Sequence, residues 1–186
     1  MSKERLLNRF LEYVQIDTEA NPFSRTSPSS EKQKDLSAVL VKQLKDMGLG
    51  RVEMTEHGYV YAHVPAQGDS AAPAICFCAH VDTAPDVSGR DVKPRVIREY
   101  DGEPILYPLD DQLELSPKTY PHLASKAGHT IITASGDTLL GGDDKAGVAI
   151  IMEATQRLLE EQPFDRGEIK LLFTTDEEVE IGRAQV

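Results

Sequence analysis

Ala74-Ile75-Cys76-Phe77-Cys78-Ala79 runs straight into His80-Val81-Asp82, and the reading of the chain turns on this junction. Six residues without a charge suit a strand covered on both faces, so a buried central strand is expected. At its end His80 and Asp82, two positions apart, leave the extended chain on the same side. Far along the sequence the arrangement recurs: the apolar run Ile169-Lys170-Leu171-Leu172-Phe173 leads into Thr174-Thr175-Asp176-Glu177-Glu178. Between the two, Val148, Ile151, Met152, Thr155, Leu158 and Leu159 fall at helical spacing within 145–161. Strand, long excursion, helix, strand predicts an α/β sheet flanked by helices, with chemically active groups where strands end and loops begin.

Working outward, Leu6, Leu7, Phe10, Leu11 and Val14 form one helical stripe over 3–14. A polar loop follows at 17–30. Ser27 as cap and Pro28 at the first helical position predict a second helix that carries Leu36, Val39, Leu40, Leu44 and Met47 inward and stops at Gly48. Short strands are expected at 52–55 and 59–64, the second ended by Pro65, and another at 130–133. The segment 83–129 has many prolines and charges and little periodicity; a loop that long is functional or ordered by a neighbour. No repeat or low-complexity tract is present.

With 186 residues, 40% hydrophobic and 27% charged, the chain has the composition of one globular domain. Its net charge of −11 argues against a nucleic acid partner. No apolar run is long enough for a membrane partner, and the start of the chain lacks a signal-peptide core. Cys76 and Cys78 stand on one face of a strand and are too close for a typical disulfide. They read as small core residues in a reducing compartment, which implies a cytoplasmic protein.

Three short segments carry chemistry. His80-Val81-Asp82 pairs an imidazole with a carboxylate, the combination that fixes a tautomer and improves a metal ligand. In Leu140-Gly141-Gly142-Asp143-Asp144-Lys145-Ala146-Gly147 two glycines permit a tight turn before a helix. Capping explains one of its acids but not both. A phosphate-binding loop is excluded because no Gly-Lys-Ser or Gly-Lys-Thr occurs, and a calcium loop counted from Asp137 would need ligands at Leu139 and Gly141. In Asp176-Glu177-Glu178, adjacent Glu177 and Glu178 can divide labour, one holding a metal and the other taking a proton from attacking water. Together the segments supply the imidazole and carboxylate donors that suit zinc.

The chain resembles the peptidase T family, tripeptide aminopeptidases of the co-catalytic dizinc exopeptidases. The likeness rests on Ala79-His80-Val81-Asp82-Thr83-Ala84-Pro85-Asp86, on 138–147 and on Phe173-Thr174-Thr175-Asp176-Glu177-Glu178-Val179, with further similarity at 113–121 and 128–133. It implies a zinc-exopeptidase-like (phosphorylase/hydrolase-like) sheet flanked by helices. It implies that His80 binds one metal and Asp82 orients it, that Asp143 bridges two metals, that Glu178 binds the second, and that Glu177 is the general base. The cofactor implied is Zn2+, two per complete site, and the substrate a tripeptide that loses its N-terminal residue. Asp144 and Lys145 are expected to do structural work at the helix start. His57, His63, His122 and His129 match no ligand motif.

The family also requires a further Asp ligand downstream of the Glu-Glu pair, a His ligand near the C-terminus, and an inserted lid or dimerisation domain. After Glu178 this sequence has Val179-Glu180-Ile181-Gly182-Arg183-Ala184-Gln185-Val186, with neither Asp nor His. The expectation is therefore that 1–186 is the N-terminal part of the catalytic zinc-peptidase domain, truncated, with weak metal binding and weak or no hydrolysis in isolation. The alternative is a non-catalytic α/β binding or interaction module derived from the peptidase. In a third reading another chain supplies the absent ligands.

Overall fold

Apolar alternation becomes strands and helical spacing becomes helices in the computed structural model, which describes residues 3–68, 71–161 and 165–179. The elements in order are α1 (Lys3–Val14), α2 (Gln33–Asp46), β1 (Val52–Met54), β2 (Val60–Val64), β3 (Ile75–His80), β4 (Arg95–Ile97), β5 (Ile105–Tyr107), β6 (Asp110–Leu115), a 3-10 segment (Pro121–Lys126), β7 (Ile131–Thr133), α3 (Gly142–Glu161) and β8 (Ile169–Thr174).

The main sheet is mixed, in the order β1-β2-β8-β3. β8 runs antiparallel to β2 and parallel to β3, with Ile75 opposite Ile169 and His80 opposite Thr174. That parallel register places the site: the segments that follow His80 and Thr174 leave the sheet at the same end. α2 packs on β1 and β2, α3 on β3, and α1 on α3. One core unites Phe10, Tyr13 and Val14 with Leu36, Leu40 and Leu44, the strand residues Val60, Ala62, Val64, Leu171 and Phe173, and Val148, Ala149 and Met152. Polar links fix α1 over this core. Arg5 pairs with the buried Glu153 at 2.8 Å, and Arg9 donates to Gln43 and Gln156 at 2.8 and 2.6 Å.

Three expectations are corrected. Among the described strands the run 74–79 is not central: β8 takes the middle of the sheet and β3 lies at its edge. Ile75 and Phe77 are 49% and 44% exposed, and Cys76 and Cys78 are exposed free thiols, not core residues. The sequence signalled two apolar faces, but the described strands give β3 a neighbour on one side alone. Ile75 and Val81 turn their N–H groups to β8, so the alternate residues Cys76 and Cys78 turn theirs to the open edge. An edge with no lysine, proline or bulge promotes strand pairing. The chain is therefore expected to self-associate with concentration, and Phe77→Lys to weaken that association by about tenfold or more, roughly 1.4 kcal/mol. Sedimentation velocity measures this; identical behaviour of the two proteins would refute it.

Secondly, α2 begins at Gln33, and Ser27 does not cap it; Lys32 at the cap position makes no side-chain cap. Tight turns precede the helix, with Gln33 N–H donating to Ser30 and Lys34 N–H to Glu31. Upstream of these turns, Asp176, just beyond β8, accepts the Ser29 N–H. Thirdly, 83–129 contains short paired strands. β4 pairs with β7 and β5 with β6, around a small cluster of Tyr100, Ile105 and Leu123. β4, β5 and β7, of three residues each, fall below the length at which alternation is readable.

Candidate metal centre

His80, at the last position of β3, is nearly buried, and both ring nitrogens are engaged. Nδ1 lies 3.1 Å from the Asp82 carbonyl oxygen and 3.4 Å from the Asp82 carboxylate. Nε2 lies 3.0 Å from Asp143 Oδ1 and 3.9 Å from Glu177 Oε2. A proton on Nδ1 donated to the Asp82 carbonyl leaves Nε2 free to ligate, the tautomer a metal requires. Burial opposes a charge on this imidazole, but Asp82, then Asp143 and Glu177, outweigh it and His80 is pushed up to about 9.

Asp82 is fully buried and has a second task that its spacing from His80 did not disclose. Its two carboxylate oxygens accept the backbone N–H groups of Glu177 and Glu178 at 3.1 and 2.9 Å. One side chain thus ties the loop after β3 to the loop after β8. Glu178 is held above the usual carboxylate range, first by burial; the His80 charge pulls it back, and Asp143, Asp82 and Glu177 push it further.

The third segment reaches the cluster from α3. Gly141, at φ +76°, passes close to the Thr83 side chain, a conformation that a residue with a side chain rarely adopts. Asp143 and Asp144 have non-helical backbones, and the peptide between them is cis. Asp144 caps the regular turns by accepting the Gly147 N–H at 3.1 Å, and a Cβ at Gly147 would collide with that carboxylate. Lys145 is buried and donates to the Ile16 carbonyl at 2.7 Å; burial lowers it to about 8 against the pull of Asp17 and Asp82. Asp143 alone is left outward, its side chain 86% exposed and turned to His80.

His80, Asp143 and Glu178 offer ligand atoms that all lie within 4.8 Å of one another, and no other such trio occurs among the described residues. Asp82, Asp143, Glu177 and Glu178 surround one imidazole, an excess of negative charge that a divalent cation neutralises. The donor set therefore fits zinc. His57 and His63 are engaged elsewhere, with the Ser27 carbonyl at 3.0 Å and Glu168 at 2.8 Å. Residues 180–186, most of the stretch without Asp or His, lie outside the described residues.

Sequence reasoning gave α2 no chemistry, and it missed Gln33. Asp176 is fully buried with φ +62°, a left-handed conformation that costs a non-glycine residue about 1–2 kcal/mol. Its carboxylate accepts the Ser29 N–H at 2.9 and 2.8 Å and Gln33 Nε2 at 2.7 Å, while its own N–H donates to Gln33 Oε1 at 3.1 Å. The single signal in the sequence was an acid preceding the Glu-Glu pair; its partners lie 143 and 147 positions away.

No known family profile matches the chain. It is 45% identical to the peptidase T of Geobacillus thermodenitrificans over 177 residues, which is 95% of this chain and 43% of that protein. It thus spans less than half the length of the curated relatives it matches. Among solved structures it superposes on the aminopeptidase PepT of Bacillus cereus with a TM-score of 0.63 and 28% identity, over 96% of this chain and 38% of that one. A tripeptidase from Staphylococcus aureus gives 0.62 and 26%, with the same shares covered.

Proposed function

This chain is a homologue of peptidase T over 95% of its own length and 43% of the relative's, and on that premise we propose that it is the N-terminal part of the catalytic domain of a zinc-dependent tripeptide aminopeptidase. The observation that carries the proposal is the convergence of His80, Asp143 and Glu178 with Glu177 Oε2 3.9 Å from the His80 ring. In this reading His80 and Asp143 would hold one zinc and Asp143 and Glu178 the other, while Asp82 fixes the His80 ring and the Glu177-Glu178 backbone. When bound, zinc polarises the scissile carbonyl and makes water more acidic. Glu177, the most exposed carboxylate of its triplet, takes a proton from the attacking water and delivers it to the leaving amine as the peptide C–N bond breaks. The negative cluster also suits the free α-amino group of a short peptide.

Each zinc would have two protein ligands from this chain, against the three that a catalytic zinc usually keeps. The isolated chain should therefore bind metal weakly and hydrolyse tripeptides weakly or not at all. Zinc content and tripeptide hydrolysis, measured for the chain alone and mixed with the downstream region of a peptidase T, test this. Recovery of turnover in the mixture is expected, and Glu177→Ala should lower the recovered rate by about 10²–10⁴-fold while sparing metal. Tight stoichiometric zinc with turnover by the chain alone would overturn the incompleteness. Failure to take up metal even in the mixture would favour a non-catalytic binding module. Among the described residues no helix is long and apolar enough to cross a membrane. The two free thiols on β3 favour a reducing, cytoplasmic setting.

A further inference from the structure

We propose that Asp176 is a positioning residue: held by Ser29 and Gln33 at the start of α2, it fixes the backbone from which Glu177 and Glu178 enter the cluster. The inference rests on the metal-centre reading above and extends it to residues outside the cluster.

The turn after β8 is gripped from two directions. Asp82 accepts the N–H groups of Glu177 and Glu178, and Asp176, one residue earlier, is anchored to the α2 side. A strand that continued extended through 176 would carry the next two amides past the sheet end, away from Asp82. The left-handed backbone at Asp176 reverses that course. It persists because four contacts define it: Ser29 N–H to both oxygens, Gln33 Nε2 to the carboxylate, and the Asp176 N–H to Gln33 Oε1. Gln33 is itself fully buried and donates to Ser29 Oγ at 3.2 Å, so the α2 side of the clamp is tied together too. No cation faces the carboxylate in these contacts; amide donors alone satisfy it, and such bonds depend on direction as well as charge.

A purely structural role predicts lower stability and nothing more. A positioning role predicts a local change at Glu177 and Glu178 in a protein that is still folded. The test uses Asp176→Asn, whose amide cannot accept from every donor that the carboxylate serves, and Gln33→Ala, which deletes two of the four contacts. A third variant, Leu40→Ala, destabilises the core about two turns along α2 from Gln33 without touching a clamp contact and serves as control. Backbone amide exchange at Glu177 and Glu178 should speed up at least tenfold in Asp176→Asn, and Co2+ affinity should fall about tenfold with a changed visible spectrum. Gln33→Ala should move both readouts in the same direction by less, and it decides the matter if Asp176→Asn fails to fold. Leu40→Ala should lower the melting temperature and leave both readouts in place. Unchanged exchange and affinity in a folded Asp176→Asn, or effects no larger than those of Leu40→Ala, would overturn the proposal. If the unmodified chain takes up no Co2+ even when mixed with the downstream region of a peptidase T, the metal-centre reading fails, and the exchange measurement still decides the clamp.

Discussion

Replacing Asp82 with alanine is expected to lower the unfolding free energy by about 3–5 kcal/mol and to abolish metal uptake, the largest effect of any single substitution at the site. Asp82 is fully buried and serves three groups at once: the N–H of Glu177, the N–H of Glu178 and the His80 ring. Truncation leaves two amides without their acceptor, at about 1–3 kcal/mol for each that stays out of water. It also removes the carboxylate that does most to sustain charge on His80. The loss propagates to function because the loops carrying His80 and Glu178 are joined through this side chain. Asp82→Asn separates the contributions. Its shape is retained and one oxygen can still accept, so an intermediate loss of about 2 kcal/mol is expected, with metal affinity weakened but measurable. Urea denaturation of the metal-free proteins and Co2+ titration measure the two quantities. A loss under about 1 kcal/mol in Asp82→Ala would mean that the two loops are held together by something other than Asp82.

What was readable in the sequence divides by range. The three chemical segments were legible because each is contiguous and each ends a strand or begins a helix, so His80, Asp143 and Glu178 stand out by local pattern. Their meeting depends on the parallel register of His80 with Thr174, which local pattern suggests but does not specify. The edge position of β3 was misread for a physical reason: side-chain hydrophobicity reports how much of a strand can be covered, not which neighbours cover it. The start of α2 was misread because backbone turns onto the Ser30, Glu31 and Lys32 carbonyls lead into the helix, with no side-chain cap to mark its first residue. Gln33 was invisible. A glutamine in a first helical turn is ordinarily solvated, and only the folded chain brings it to Asp176. Backbone acceptance by Asp82 was invisible for the same reason, since an amide donor leaves no mark on residue identity.

Metal affinity should rise about tenfold per pH unit from pH 7 to 9, whereas the stability of the metal-free chain should fall over the lower part of that range. Both follow from His80, and the signs oppose each other. Burial disfavours the imidazolium, yet Asp82, Asp143 and Glu177 raise it from 6.5 to about 9. A ligating Nε2 must be unprotonated, so near pH 7 a cation has to displace a proton, and the apparent affinity lies about 100-fold below its high-pH limit. In the metal-free chain the folded state binds that proton more tightly than the unfolded state does. The resulting stabilisation is fully present below pH 6.5 and is lost as pH rises through 9, at about 1.4 kcal/mol per unit. Lys145 adds the opposite slope. Burial lowers it from 10.5 to about 8, so the folded state gives up that proton first and gains stability as pH rises from 8 through 10.5. The window from pH 6.5 to 8 therefore isolates His80 and should show a fall of roughly 2 kcal/mol. His80→Gln removes the charge and the ligand together. It should flatten the stability profile in that window and eliminate metal uptake at every pH. Denaturant titrations of the metal-free protein, paired with Co2+ competition against a chelator at the same pH values, supply the comparison. Stability that stays level for the unmodified chain between pH 6.5 and 8 would show that His80 is neutral in the metal-free fold. The cluster would then be held by hydrogen bonds without the ion pair that the Asp82, Asp143 and Glu177 geometry implies.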